Sequence, residues 1–159
     1  MQRDAIAPVL RNALDRSNLT GDRFTLELTE SAIVSDPDRI TGTMHALRAL
    51  GATLAMDDFG TGYSNLAYLQ KLPIDVLKID RSFVTGMIAD RDKIAIVRAI
   101  LSLAQALGMQ TTAEGIETQE LAQTLAVLGC TYGQGYFYAR PLEAPAALAM
   151  LAEATESAI

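Results

Sequence analysis

The stretch Leu54-Ala-Met-Asp-Asp-Phe-Gly-Thr-Gly-Tyr-Ser-Asn-Leu66 decides how the rest of the chain is interpreted. Its first residues are small or apolar and lead into a loop with two glycines, which is typical of a short buried strand that ends in a tight turn. Asp57 and Asp58 lie at the end of that strand. Two adjacent carboxylates repel each other unless a cation neutralises them, and their oxygens suit Mg²⁺, Mn²⁺ or Ca²⁺. The pair could also cap a helix before a glycine turn, so both interpretations stand at this point.

Composition sets the broad class of the protein. The chain has 159 residues, half of them hydrophobic, and a net charge of −6. This is the length of one domain, which buries about 68 to 70% of the surface of its unfolded chain. The acidic balance argues against a DNA- or RNA-binding surface, because such binding depends on clustered Lys and Arg. One cysteine, Cys130, and one histidine, His45, exclude an internal disulfide and a zinc site of the usual Cys/His type.

Neither a membrane span nor a secretory signal is visible in the sequence. No apolar run approaches the roughly 20 residues that cross a bilayer, and the N-terminus lacks the basic and then apolar pattern of a signal peptide. We therefore expect a cytoplasmic location and no membrane contact from this segment.

Hydrophobic periodicity and turn residues predict that strands and helices alternate along the whole chain. The predicted strands are 24–29, 53–56, 75–80, 110–113 and 131–138. The predicted helices are 2–15, one that starts at 35–38 and runs to 50, 65–71, 93–107, 118–128 and a last one from about Ala144. The residues from Arg81 to Met87 are left as a connection. Alternation with short connections predicts an α/β fold with a parallel sheet of five strands.

Two architectures fit that pattern, namely an open doubly wound sheet and part of an eight-stranded TIM-type barrel. The polarity of the strands helps to choose between them. Lys78 and Asp80 share one face of the third predicted strand, while Leu77 and Ile79 share the other. The other strands likewise place a charged residue opposite apolar ones. Charged residues that face a common interior favour the barrel, in which the active face lies at the carboxyl ends of the strands.

Acidic residues cluster at or near the ends of four consecutive strands: Glu27, Asp57, Asp58, Asp80 and Glu114. Parallel strands bring those ends together, so the acids need cations. Lys78 is the one basic residue on the same face, where it could act on a catalytic water or pair with Asp80. Acids at strand ends also cap helices, and we expect one or two of the five to do so. Two divalent ions held by the others would suit phosphoryl chemistry.

Five motifs, in order, make the sequence resemble the EAL domain family. They are Leu26-Glu-Leu-Thr-Glu-Ser31, Asp57-Asp-Phe-Gly-Thr-Gly-Tyr-Ser64, Leu77-Lys-Ile-Asp-Arg-Ser-Phe83, Ala113-Glu-Gly-Ile-Glu-Thr118 and Gly133-Gln-Gly-Tyr136 with Arg140-Pro141. The resemblance runs from about Val9 to Leu148. It implies a bacterial phosphodiesterase that hydrolyses the second messenger cyclic di-GMP to linear pGpG. It also implies Mg²⁺ or Mn²⁺ as cofactor, with two ions in the intact domain.

The resemblance also implies roles for individual residues. Lys78 is similar to the lysine that holds the catalytic water, and Gln134 matches a glutamine beside it. Glu30 resembles the acid that steadies the loop from Asp58 to Tyr63, which in the family couples the site to a homodimer. Metal ligation is implied for the five strand-end acids, with Asp58 shared between two ions. Substrate contact is implied for four residues, Asp58, Glu117, Gln134 and Tyr136.

The sequence departs from the family pattern at its beginning. The Glu-Ala-Leu signature is absent, and so is the Asn-containing strand that should follow it. Both are expected N-terminal of Met1, together with a glutamate ligand, an asparagine ligand and a substrate-binding arginine. Residues 1–159 are therefore expected to be an N-terminally truncated EAL domain, in which the first three strands of the barrel are missing. By itself such a chain is expected to show negligible hydrolysis.

Two other functions stay open from the sequence. A non-catalytic module of the same fold would bind cyclic di-GMP or a protein partner. A phosphoacceptor signalling domain would carry its acidic pair on the first strand and a lysine on the last. Here the pair lies on the second strand and Lys78 on the third, so the sequence favours the phosphodiesterase over that class.

Overall fold

The computed structural model describes residues 6–30, 32, 37–61 and 69–156. The helices are α1 (Ile6–Ser17), α2 (Pro37–Arg48), α3 (Arg81–Val84), α4 (Arg91–Ala106), α5 (Gln119–Val127) and α6 (Ala144–Glu156). The strands are β1 (Thr25–Thr29), β2 (Thr53–Phe59), β3 (Val76–Ile79), β4 (Gln110–Ala113) and β5 (Tyr132–Gly133). Two 3-10 turns add Gly21–Arg23 and Met87–Ala89. The helices of the described ranges are all too short or too polar to cross a lipid bilayer.

The five strands form one parallel sheet in the order β1-β2-β3-β4-β5. Each strand therefore pairs with its neighbour in the chain, as expected for strands joined by helical crossovers. In the register of the sheet, Glu27 lies opposite Ala55 and Lys78 lies opposite Thr112. The parallel sheet that the sequence predicts is confirmed.

The two faces of the sheet have different surroundings. Leu54, Leu77 and Ile79 point to one face and are completely buried in the hydrophobic core, where α2 packs on β2 and α4 packs on β3 and β4. The opposite face lines a cavity of about 330 Å³ to which all five strands contribute, from Thr25 to Gln134. A core on one face and a polar interior on the other correspond to consecutive strands of a barrel, because a doubly wound sheet is covered by helices on both faces.

Helix ends follow the signals in the sequence. Thr118 accepts a hydrogen bond from the Leu121 amide at 3.2 Å and starts α5. Asp90 accepts from the amides of Asp92 and Lys93 and starts α4. The predicted helix 65–71 lies largely outside the described residues, as do Ser35 and Asp36, where α2 was expected to begin.

Several predicted boundaries are wrong. The predicted strand 53–56 continues to Phe59. The connection from Arg81 to Met87 contains the single helical turn α3, which Asp80 caps. The predicted strand 131–138 ends at Gly133, because the chain turns at Gly135 and lies against the backbone of Ile116. There the Phe137 amide donates to the Ile116 carbonyl at 3.0 Å, and the Tyr138 amide donates to that of Gly135 at 3.0 Å.

Candidate active site

Lys78 lies at the centre of the inward face of the sheet. Its ammonium nitrogen is 2.8 Å from Glu27 Oε2, 3.1 Å from Asp57 Oδ1 and 2.6 Å from Glu114 Oε1. Only 7% of the lysine side chain is exposed. The three carboxylates come from β1, from β2 and from the segment after β4, so the structure brings together residues that are distant in the sequence.

Strand alternation and register place these four residues. In β1, Glu27 is exposed while Leu26 and Leu28 are half-buried against the core. The Glu114 amide donates to the Ile79 carbonyl at 3.1 Å, which extends the pairing of β4 with β3 by one residue. The acids follow the period of two that points alternate side chains to opposite faces.

The electrostatics of Lys78 follow from this environment. Burial alone would lower the pKa of its ammonium, but the hydrogen bonds that it donates to Glu114, Glu27 and Asp57 outweigh burial and raise that pKa above its usual range. Lys78 therefore stays protonated at physiological pH. An ammonium has three N–H donors and no acceptor, and here each donor has a carboxylate partner.

Asp58 follows Asp57 in an irregular part of β2. The register between β2 and β3 shifts between Met56 and Phe59, and Asp58 has a φ of 56°. Its carbonyl accepts hydrogen bonds from the Thr61 amide at 3.2 Å and from the Thr61 hydroxyl at 2.8 Å. Such a bulge redirects side chains at the end of a strand. The Asp58 side chain is exposed, and among the described residues it forms no ion pair with Lys78.

Asp80, which the sequence predicts as a further metal ligand, is the N-cap of α3 in the structure. Its Oδ1 accepts from the Ser82 amide at 3.0 Å. Hydrogen bonding to the Ser82 side chain, and to a smaller extent to the Ser82 and Arg81 amides, lowers the pKa of the carboxyl despite partial burial. It is not part of the group of carboxylates around Lys78. Asp80 thus corresponds to the helix-capping interpretation that the sequence left open for one or two of the acids.

Glu30 is buried directly after β1. It is 8% exposed, and its Oε2 has no hydrogen-bond partner among the described residues. The end of the loop that it is expected to steady, residues Gly62 and Tyr63, lies outside the described residues. Within the part that is described, Gly60 has a φ of 93° and lies against the ring of Phe83.

A second cavity of about 670 Å³ opens beside Glu114 and is lined by Glu117, Gln134 and Tyr136. Gln134 lines this cavity and the inward face of the sheet as well, so it lies between the two. The Arg140 guanidinium lies 4.7 Å from the centre of the Tyr136 ring. Arg81 also lines the cavity, although the sequence analysis did not select it. Its position directly after Asp80, at the end of a site strand, was the available signal.

The site matches a divalent metal in the chemistry of its ligands but not in their arrangement. Carboxylate oxygens at the carboxyl ends of parallel strands are the donors that hard divalent cations prefer, and three of them already surround one cation, the ammonium of Lys78. In the part of the chain that the structure describes, however, no three Asp, Glu, His or Cys side chains are arranged to hold one metal ion. The carboxylate oxygens are therefore suitable ligands for a divalent ion, and in the structure they surround the ammonium of Lys78.

The comparisons with known proteins all identify the same family. The model of the EAL domain matches residues 1–141. The cyclic di-GMP phosphodiesterase NbdA of Pseudomonas aeruginosa is 41% identical over 140 residues, which are 88% of this chain and 18% of the relative. MucR of the same organism, a bifunctional diguanylate cyclase/cyclic di-GMP phosphodiesterase, is 43% identical over 90% of this chain and 21% of its own length. The chain spans only 16 to 22% of the curated relatives that it matches.

Solved structures of the same family are similar to this chain. The EAL domain of Mycobacterium smegmatis DcpA superimposes with a TM-score of 0.90 at 38% identity, over 96% of this chain and 68% of that one. The MucR phosphodiesterase in complex with c-di-GMP gives a TM-score of 0.85 at 40% identity, over 90% and 58%. BlrP1 of Klebsiella pneumoniae, solved with manganese and cyclic di-GMP, gives 0.80 at 34% identity, over 88% and 36%. These neighbours are TIM-barrel-like, and the predicted fold class is confirmed.

Proposed function

The chain belongs to the EAL domain family, and from this premise we propose that it forms most of the catalytic face of a cyclic di-GMP phosphodiesterase, which hydrolyses cyclic di-GMP to pGpG. The observation that carries the proposal is the convergence of Glu27, Asp57 and Glu114 on Lys78. Relatives that are named as cyclic di-GMP phosphodiesterases, and a neighbour solved with c-di-GMP, support it.

We propose Mg²⁺ or Mn²⁺ as the cofactor, with two ions in the intact domain, and neighbours solved with manganese or calcium support a divalent metal. Four acids would hold the ions, namely Glu27, Asp57, Asp58 and Glu114. Divalent ions at this position would neutralise the phosphodiester and promote the attack of water on phosphorus. Asp80 would support the site through α3, which it caps.

Lys78 acts as a donor in this proposal. Surrounded by its three carboxylates the ammonium carries its proton, and we assign it the role of a hydrogen-bond donor. It can donate a hydrogen bond to the attacking water or to a phosphate oxygen, and its carboxylate partners fix its position. A fixed cation at the reacting phosphate stabilises negative charge in the transition state.

The cavity beside Glu114 is proposed to hold part of the cyclic dinucleotide. Glu117 offers acceptors and Arg81 offers donors for a nucleobase, while the ring of Tyr136 offers a surface for stacking. Gln134 lies between this cavity and Lys78, so it can contact the substrate next to the reacting phosphate. We further propose a cytoplasmic protein and a homodimer that forms through the loop from Asp58 to Tyr63, steadied by Glu30.

The test is a chimera in which residues 6–156 replace the matching region of Pseudomonas aeruginosa MucR. With Mn²⁺ we expect hydrolysis of cyclic di-GMP to pGpG, and we expect Lys78→Met to lower kcat by about a hundredfold or more, because a fixed donor to the transition state is lost. Lys71→Met is the matched control, since Lys71 is exposed and lies outside the site. A folded chimera that binds cyclic di-GMP without hydrolysing it would support the non-catalytic module instead.

A further inference from the structure

The ammonium of Lys78 contacts one oxygen of each of three carboxylates that the proposed function assigns to divalent ions. Each of its three donors is used by a different carboxylate, at 2.6 to 3.1 Å. The lysine is almost fully buried, while Glu27, Asp57 and Glu114 are 47%, 24% and 21% exposed. The lysine side chain therefore reaches the carboxylates from the buried side of the site, and the carboxylates remain accessible to solvent.

A divalent ion and the ammonium cannot use these oxygens in the same way. Oxygen ligands lie about 2.0 to 2.6 Å from Mg²⁺ or Ca²⁺, whereas the carboxylates are now spaced around an N–H donor. In the described part of the chain the three acids meet around the ammonium, and no three acidic, His or Cys side chains are arranged as ligands of one ion. Two cations of like sign at one group of carboxylates would also repel each other.

We propose that Lys78 is an internal counter-ion that holds the three carboxylates together in the metal-free protein and competes with the divalent ion for them. The inference rests on the proposed metal-dependent function and adds to it a role for Lys78 before catalysis. Binding of an ion requires the ammonium to give up at least one carboxylate, so the lysine lowers the affinity for metal. In return, the metal-free chain keeps its acids close together without an ion.

The experiment is a calorimetric titration of Mn²⁺ into the metal-free full chain, its Lys78→Met variant and its Lys71→Met variant. Methionine keeps the length and apolar character of the lysine stem and removes the charge. We expect Lys78→Met to bind Mn²⁺ about tenfold more tightly, because the ion no longer competes with a second cation for the carboxylates, and Lys71→Met to bind like the wild type. Without metal, Lys78→Met should also melt at a lower temperature than the wild type. Saturating Mn²⁺ should raise its melting temperature more than that of the wild type.

A purely structural role for Lys78 would lower stability without raising the affinity for Mn²⁺. Binding by Lys78→Met that is equal to or weaker than that of the wild type therefore overturns the inference while leaving the proposed function intact. If neither protein binds Mn²⁺, both fail.

A measurement on the unaltered chain covers the case in which Lys78→Met does not fold. In a titration with diamagnetic Mg²⁺, the ¹³Cε resonance of Lys78 should shift with the midpoint of metal binding, while that of Lys71 stays unchanged. A Lys78 resonance that does not respond to saturating Mg²⁺ would show that the ammonium keeps its partners, and would overturn the inference.

Discussion

At the scale of single residues, the carboxylate of Asp57 has two contacts that tie it to the site. One oxygen lies 3.1 Å from the Lys78 ammonium and also accepts from the Asp58 amide at 3.1 Å. The same carboxylate thus orients the start of the bulge that carries Asp58. A substitution at Asp57 therefore changes the charge of the site and also the hydrogen bond that positions the backbone of Asp58.

Asp57→Asn should weaken the binding of Mn²⁺ to the chain by at least about tenfold. The amide removes one negative charge and one anionic donor, and the loss of even an outer partner of a metal site typically costs 10- to 100-fold in affinity. Calorimetry at neutral pH measures the effect. Unchanged binding in the double variant Asp57→Asn, Asp58→Asn would show that the acidic pair is not the metal site.

Gly135 is a residue whose importance comes from close packing. A Cβ atom at this position would overlap the backbone of Ile116, at the point where the chain turns after β5. Gly135→Ala should therefore destabilise the protein by about 1–3 kcal/mol or more, as overpacking does, because backbone cannot move aside as a flexible side chain can. Denaturant unfolding is the measurement.

The matched control for that substitution is Gly42→Ala. Gly42 lies within α2, and a Cβ there would meet nothing within 4 Å. Alanine is favoured over glycine in a helix by roughly 0.5–1 kcal/mol, so this variant should be slightly more stable than the wild type. Equal effects of the two substitutions would contradict the assignment of Gly135 to a tight backbone contact.

At the scale of elements, the site depends on how β2 and β3 end. β2 ends in a bulge with Asp58 in the left-handed region, and β3 ends at Ile79, directly before Asp80, which caps α3. At the end of β2, Asp58 is exposed and forms no ion pair with Lys78. At the end of β3, Asp80 accepts a hydrogen bond from the Ser82 amide. Two aspartates at adjacent strand ends therefore have different structural roles.

Asp80→Ala should cost about 0.5–2 kcal/mol of stability through the loss of the cap, whereas Asp80→Asn should leave the stability at neutral pH nearly unchanged, because Asn caps as well as Asp. Unfolding by urea at pH 7 compares the two variants. A stable Asp80→Asn protein with weakened Mn²⁺ binding would show that Asp80 is also a metal ligand, as the sequence predicts.

The same cap predicts a dependence on pH. The pKa of Asp80 is lower in the folded protein, so its contribution to stability is present above the unfolded pKa of about 3.9 and is lost as the pH falls through the folded value. Asp80→Asn should remove this part of the acid destabilisation. Lys78 has a raised pKa, so its contribution is lost only at strongly alkaline pH.

At the scale of the whole molecule, the sheet ends in two strands that have a neighbour on one side only. β1 and β5 are the outer strands of the described sheet. Near β5 several large apolar side chains are at least 40% exposed, namely Tyr132, Tyr136, Phe137, Tyr138 and Leu142. Unpaired strand edges and contiguous apolar surface favour association with further polypeptide.

The chain on its own should therefore self-associate and show low cooperativity on heating. Light scattering across a concentration series is the measurement. Fusion to the part of an EAL domain that this chain does not match, as in the MucR chimera, should suppress the effect by covering both edges. A monomer with a sharp melting transition at all concentrations would contradict the proposal that the chain is a truncated barrel. It would show that five strands suffice for an independent domain.

Sequence by itself determined the order of strands and helices, the parallel sheet, the shared inward face of Glu27 and Lys78 and the resemblance to the family. These follow from local periodicity, cap residues and contiguous motifs, which short stretches such as Leu26–Leu28 or Val76–Ile79 carry completely. Only the tertiary structure decided that three carboxylates share the Lys78 ammonium and that β5 stops at Gly133. The physical reason is that each of these depends on contacts between residues brought together by sheet register and chain reversal, as with Gly135 against Ile116, and no local pattern encodes such contacts.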